Sequence, residues 1–200
     1  MKDDEQFSDQ LERWLLSDGP KTIGAMGEVF GGKGFSVAIL LLMAVPALPL
    51  PTGGITHVFE AITVLLAAQM VLGRRTIWLP ERWKRRELGA TTTGKAIPFL
   101  LRRVRWVERF SRPRGARLFE HDSVLRLLGL LLVGLAVAAA IAPPFSGLDT
   151  LPALGAVGVA LAIILEDVVI LAIGVVVGTG GVVLMVTIGA ALVRLISNLI

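Results

Sequence analysis

The last apolar run constrains this chain more than any other feature. Residues 168–193 contain no charged side chain, and about 20 apolar residues suffice for a helix to cross the hydrocarbon core of a bilayer. A helix that is apolar on every face has nothing to show water, so it belongs inside a large protein or inside a membrane. Four further apolar segments, 35–50, 55–73, 124–142 and 148–165, are shorter and more interrupted. Of the 200 residues, 54% are hydrophobic and 18% charged, against about 25% charged in a soluble domain. The charge is confined to a few stretches, which leaves too little polar surface to carry so many apolar segments in water. The expectation is an all-α integral membrane protein of the bacterial inner membrane, crossing it more than once.

The shorter segments are broken in a patterned way. Pro46, Pro49 and Pro51 precede Gly53 and Gly54 at the end of the first, and Pro143 and Pro144 precede Gly147 at the end of the third. Proline removes a helical donor, so the backbone at such a break must be buried in protein or face water. Sliding the sequence by 93 residues lays Pro51-Thr52-Gly53-Gly54 onto Pro144-Phe145-Ser146-Gly147, and the first two segments onto the third and fourth. Each unit then reads as apolar helix, Pro/Gly break, apolar helix and a pair of charges, Arg74-Arg75 in one and Glu166-Asp167 in the other. Two geometries satisfy this pseudo-repeat: short spanning helices joined by a tight turn, or re-entrant hairpins that turn within the bilayer, as in transporters whose sites lie near the midplane. The chain divides into an N-terminal cytoplasmic amphipathic segment (1–30), a first membrane hairpin (31–73) and a basic cytoplasmic or interfacial segment (74–122). A second membrane hairpin (123–167) and a C-terminal transmembrane helix (168–200) follow.

Residues 74–117 hold fourteen Lys and Arg but only three acids, Glu81, Glu87 and Glu108. An isoelectric point of about 10.1 would by itself suit nucleic acid. A basic stretch wedged between apolar segments is instead what the positive-inside rule predicts for a cytoplasmic loop. Such clusters also draw anionic lipid headgroups, so the expected partners are the lipid bilayer and its anionic lipids, not nucleic acid. Residues 95–110 set Ile97, Leu100, Leu101, Val104 and Val107 on one helical face and Arg102, Arg105 and Arg109 on another. That is a basic amphipathic helix suited to the headgroup region, with Trp106 at the boundary and Trp78 and Trp83 placed as interfacial aromatics. Phe7, Leu11, Trp14 and Leu15 predict a second, short amphipathic helix on the protein or membrane surface. The acidic start has no apolar core of the kind a cleaved signal peptide carries.

At Gln69-Met-Val-Leu-Gly73-Arg74-Arg75-Thr-Ile-Trp78-Leu79-Pro80 the sequence resembles the ExoD family of exopolysaccharide-synthesis membrane proteins. The likeness extends upstream through 31–34 and the proline-rich 46–51, and downstream through Pro144-Phe145, Leu151-Pro152-Ala153 and Glu166-Asp167. It departs at Val168, where a Gly is expected, and at Asp149, where a small polar residue is more usual. The resemblance implies a role connected with exopolysaccharide production and no particular reaction.

Ionisable groups at membrane depth are costly to bury and are therefore functional candidates. His57 and Glu60 follow the first break three residues apart, on one helical face, a pair able to move a proton or hold a cation or sugar hydroxyl. The alternative leaves both near the headgroups, solvated and inert. Asp149 and Thr150 follow the second break and fall on Thr56 and His57 under the 93-residue shift. If the two breaks meet, Thr56, His57, Glu60, Asp149 and Thr150 form one substrate- or ion-binding centre. Arg74 and Arg75, with Arg102, Arg105 and Arg109, are candidates for lipid phosphate, which arginine grips in a bidentate manner. Arg74 and Arg75 serve equally well as topology anchors. Glu166 and Asp167 mark a polar turn and suit the N-terminal dipole of the last helix. Gly174 and Gly178 are spaced for close helix packing or for a homodimer.

No Cys is present and only His57 and His121 supply imidazole, so no metal site or disulfide is expected. Phosphate loops, HExxH and nucleophile-elbow motifs are missing, and neither a cofactor nor a catalytic residue is expected. The chain reads as a non-enzyme: either a transporter of an ion, small solute or lipid-linked intermediate, or a non-catalytic accessory of the polysaccharide synthesis machinery.

Overall fold

A computed structural model describes residues 6–19, 22, 29–48, 55–74, 76–78, 97–142 and 147–197. Every regular element among them is helical. In chain order these are α1 (Phe7–Leu16), α2 (Gly34–Met43, entered through a 3-10 turn at Gly31–Lys33), α3 (Ile55–Val71) and α4 (Ile97–Glu108). The single turn α5 (Ala116–Phe119) follows, then α6 (Asp122–Ile141), α7 (Thr150–Leu165) and α8 (Val168–Ser197). The expected interruptions separate α2 from α3 and α6 from α7. Their central residues, including Pro49, Pro51, Thr52 and 143–146, lie outside the described residues, as do Arg75 and Trp83.

Helices α6 and α8 are long and apolar enough to cross a membrane. At 1.5 Å per residue, α3 and α7 reach about 25 Å and α2 about 15 Å, against a hydrocarbon core of about 30 Å. Within the span Val168–Ala191, only 17% of its apolar 18-residue window is buried within the protein, and Ile173, Val176, Val183 and Val186 are exposed. An apolar helix this bare suits hydrocarbon and not water.

Every residue of α2 is buried. It packs on α3 and α7, α6 packs on the same two helices, and α8 lies along α7. The four helices α2–α3–α6–α7 therefore close a ring whose pairings are unchanged when the first hairpin is exchanged for the second. The ends of α3 and α7 are also alike. Gly73 (φ 70°) and Glu166 (φ 55°) are both left-handed. The Arg74 N–H donates to the Gln69 carbonyl (3.0 Å) and the Asp167 N–H to the Ala162 carbonyl (3.2 Å), closures that satisfy the last helical acceptors.

A cation from the opposite hairpin covers each of these helix ends, where the dipole is negative. Lys33 Nζ donates to the Ile164 carbonyl (2.8 Å) and meets Glu166 (2.8 Å). Arg126 lies over Gly73, where an added Cβ would sit 2.8 Å from its Nη2. All these pairs of positions are 93 residues apart in sequence. The starts of α2 and α6 thus share one end of the ring with the ends of α3 and α7, and the two breaks lie at the other.

Helices α7 and α8 touch through glycine. A Cβ on Gly155 would lie 2.2 Å from the Cα of Gly178, and one on Gly158 would lie 2.8 Å from the Cα of Gly174. Close packing is therefore what Gly174 and Gly178 provide; α7 covers the face that a homodimer through these glycines would need.

Helices α1 and α4 pair with each other. Phe7, Leu11 and Trp14 of α1 and Leu101 and Val104 of α4 are buried. Glu108 Oε1 accepts the Ser8 N–H (3.0 Å), so a carboxylate from α4 caps the open first turn of α1. The apolar stripe of α4 is covered in part by α1, while Trp106 and Phe110 at its end stay exposed.

Candidate functional site

The polar residues of the ring are concentrated on α3. Thr56, Glu60 and Thr63 follow one another at four- and three-residue steps, which places them on a single helical face. All three are buried, Glu60 and Thr63 completely. Glu60 Oε2 lies 2.8 Å from Nδ1 of His57, and the His57 side chain is 39% exposed, so this pair connects the interior to the surface. Among the described residues, Glu60 Oε1 and the Thr63 hydroxyl have no hydrogen-bond partner. Leaving a buried polar atom unpaired costs about 1–3 kcal/mol, more when it is charged, and a group so placed is where a proton, an ion or a water is held.

The charge of Asp149 acts on Glu60, while its side chain and that of Thr150 form no hydrogen bond or ion pair with Thr56, His57 or Glu60 among the described residues. Thr150 is half-buried at the first turn of α7, and Asp149 makes no side-chain cap there. Glu60 is completely buried within the protein, while His57 beside it is partly exposed. Thr63 was missed; its signal was the position one turn beyond Glu60 on the same face. The positions on α7 matching Glu60 and Thr63 under the 93-residue shift are Ala153 and Ala156, both fully buried.

A cavity of about 260 Å³ opens at the opposite end of the ring, lined by Ser36, Met70, Gly73, Arg74, Asp122 and Ile163 among others. Beside it, Gln69 links two residues of the segment used above for family resemblance. Its Oε1 accepts the Trp78 N–H (2.7 Å) and its Nε2 donates to the Leu65 carbonyl (3.1 Å), while Arg74 lies 5.8 Å from the Trp78 ring centroid, within cation–π reach. Gln69, Gly73, Arg74 and Trp78 are thus one device for ending α3 and turning the chain.

The arginines proposed to meet lipid phosphate divide. Arg74, Arg102 and Arg109 are exposed. Arg105 pairs with Glu12 and, at 3.5 Å, with Asp9 of α1, and its side chain remains partly exposed.

Asp167 is the polar turn residue expected before α8, and it does more than complement the dipole. Its Oδ1 accepts the Val169 N–H (2.9 Å). Its Oδ2 accepts the Arg112 N–H (3.0 Å) and the Ser111 hydroxyl (3.2 Å), tying the end of the α4 segment to the start of α8. Burial alone would raise its pKa. The two backbone N–H groups, the Ser111 hydroxyl and the nearby Arg114 charge outweigh that and hold the carboxyl below the usual range.

A closed ring of apolar helices, a buried acid–hydroxyl line and a bare apolar final helix define a small helical membrane protein. The sequence matches the family described as "Exopolysaccharide synthesis, ExoD" over residues 7–187, nearly its whole length, and the chain belongs to that family. Membership implies a role in exopolysaccharide synthesis. The chain is also similar to an uncharacterized protein of Synechocystis sp., slr1875, with 28% identity over 125 residues, which is 61% of this chain. It spans 57% of that relative's length. No solved structure matches.

Proposed function

We propose that this protein is an inner-membrane transporter that moves a proton or a small monovalent cation in support of exopolysaccharide synthesis, with Glu60 as the binding group. The observation that carries this is a fully buried carboxylate with one oxygen on His57 at 2.8 Å and the other unpartnered, beside an unpartnered Thr63 hydroxyl. Intramembrane acids of this kind belong to ion and proton pathways. One carboxylate with hydroxyls on the same helical face offers ligands suited to a small cation. His57 supplies the connection on the break side. On the other side, Leu66 and Ala67 close α3 between Thr63 and the cavity at Ser36 and Arg74, a separation of about 10 Å along the helix at 1.5 Å per residue.

In this proposal the two hairpins are duplicated, re-entrant units, supported by the lengths of α2, α3 and α7 and by the matching helix ends. Residues 74–122 face the cytoplasm, the chain is not an enzyme, and any homodimer uses a surface other than Gly174 and Gly178. A second reading, a non-catalytic accessory of the synthesis machinery, draws on the exposed Arg102, Arg103 and Arg109 of the α4 segment. The test is exopolysaccharide output in cells whose only copy carries Glu60→Gln or His57→Ala. Transport predicts output at the level of the deletion for Glu60→Gln and a partial loss for His57→Ala, with membrane levels unchanged. Wild-type output from both would favour the accessory role.

A further inference from the structure

A groove of about 480 Å³ runs along the outside of α7 and α8 under the end of α4. Its walls are apolar: Trp106 from α4 and Phe110 from the turn after it, Leu154 and Leu161 from α7, and Ile173 from α8. Its polar lining residues, Ser111, Arg114 and Asp167, belong to the loop after α4 and the turn before α8, and so gather at one end. Trp106, Phe110 and Ile173 are 60%, 65% and 59% exposed, so the groove is open along its side. It follows α8 from Val169 to Val177, about 12 Å of a helix long enough to cross a bilayer. The medium that meets such a groove is lipid.

The charges at the polar end select among lipids. Both Asp167 oxygens are already engaged by Ser111, Arg112 and Val169. The exposed Arg114 guanidinium acts on Asp167 through its charge but forms no salt bridge with it, which leaves its donors facing outward, and Arg109 and Arg112 nearby are exposed too. The groove therefore combines an apolar trough, an aromatic lip and an exposed guanidinium where the trough reaches the interface.

We propose that this groove binds one anionic phospholipid of the surrounding bilayer, an acyl chain lying between Phe110, Leu161 and Ile173 and the phosphate on Arg114. Arginine holds phosphate through paired donors, and Trp106 sits where an interfacial indole belongs. The site is separate from Glu60 and does not depend on ion transport. It gives the basic α4 segment a fixed lipid to rest on, beside the glycine contact of α7 with α8.

Trp106 reports directly on occupancy. The full chain, with Trp14, Trp78 and Trp83 replaced by Phe, is reconstituted into phosphatidylcholine vesicles containing a minor fraction of phosphatidylglycerol brominated on its acyl chains. Trp106 quenching is compared with that by brominated phosphatidylcholine at the same fraction. The proposal predicts that brominated phosphatidylglycerol is favoured about fivefold, the factor expected of one basic side chain at a membrane surface. Arg114→Gln abolishes the preference and Arg114→Lys keeps most of it. Equal quenching by the two lipids, or a preference that survives Arg114→Gln, would overturn it. Displacement of brominated phosphatidylglycerol by trace polyprenyl phosphate, at a fraction where unlabelled phosphatidylglycerol displaces none, would also overturn it by naming a different occupant.

Discussion

The two hairpins share a frame and differ in what they put inside it. Both end in a left-handed residue followed by the same closing hydrogen bond, at Gly73 and Arg74 in one and at Glu166 and Asp167 in the other. A cation from the opposite hairpin covers each end. Within the frame, α3 carries Thr56, Glu60 and Thr63 on its buried face, whereas the matching stretch of α7 carries Ala153 and Ala156. The next position tells the same story: Ile62 of α3 is buried among side chains, and its counterpart Gly155 lies against the backbone of α8. The buried polar residues lie on α3, and the close glycine packing lies on α7. Chemistry should therefore fail when the first is altered and folding when the second is.

Moving residues between the halves tests that division. Gly155→Ile, which gives α7 the residue of α3, leaves nowhere for the side chain, since even a Cβ would stand 2.2 Å from the Gly178 Cα. The expected loss is at least about 3 kcal/mol, seen as a collapse of the thermal melt in detergent and protease cleavage between α7 and α8.

Asp167→Asn is next, at about 2 kcal/mol for weakened charge-assisted hydrogen bonds, whereas Arg74→Ala at the matching exposed position should stay within about 0.5 kcal/mol. The folded Asp167 carboxyl titrates below its unfolded value of 3.8. Its contribution is therefore complete above that value and is lost as pH falls through the lower folded one. Melting curves should show this acid limb in the wild type and a shallower one in Asp167→Asn. Gly73→Ala follows, at about 1–2 kcal/mol for a left-handed alanine. Glu166→Gly should be nearly neutral, because relieved backbone strain offsets the loss of the half-exposed Lys33 pair.

Much of this architecture was legible in the sequence because it rests on local pattern. The bare run at 168–193 announced α8, the prolines and glycines bracketed both hairpins, and His57 and Glu60 stood out as costly groups in apolar text. Periodicity reports which face of a helix is apolar, but not what covers it, and so the pairing of α1 with α4 could not be seen. Nor could the capture of Arg105 by Glu12 and Asp9, which lie 93 and 96 residues away. The contact of Lys33 with Ile164 joins residues 131 apart, and the hold of Asp167 on Ser111 and Arg112 crosses more than fifty. Spacing places Thr63 on the Glu60 face, but a lone threonine in an apolar helix ordinarily bonds its own backbone, and its unpartnered hydroxyl is visible only in the folded ring.

Flux through the purified protein tests the central claim most directly. The full chain is reconstituted into vesicles with an interior pH dye, and a potassium or sodium gradient or a membrane potential is imposed in turn. Proton or cation movement well above that of empty vesicles is expected, lost in Glu60→Gln while the melting temperature stays within a few degrees of the wild type, since the substitution keeps the side chain's size and shape. Wild-type vesicles as tight as empty ones, or undiminished flux through Glu60→Gln, would contradict it.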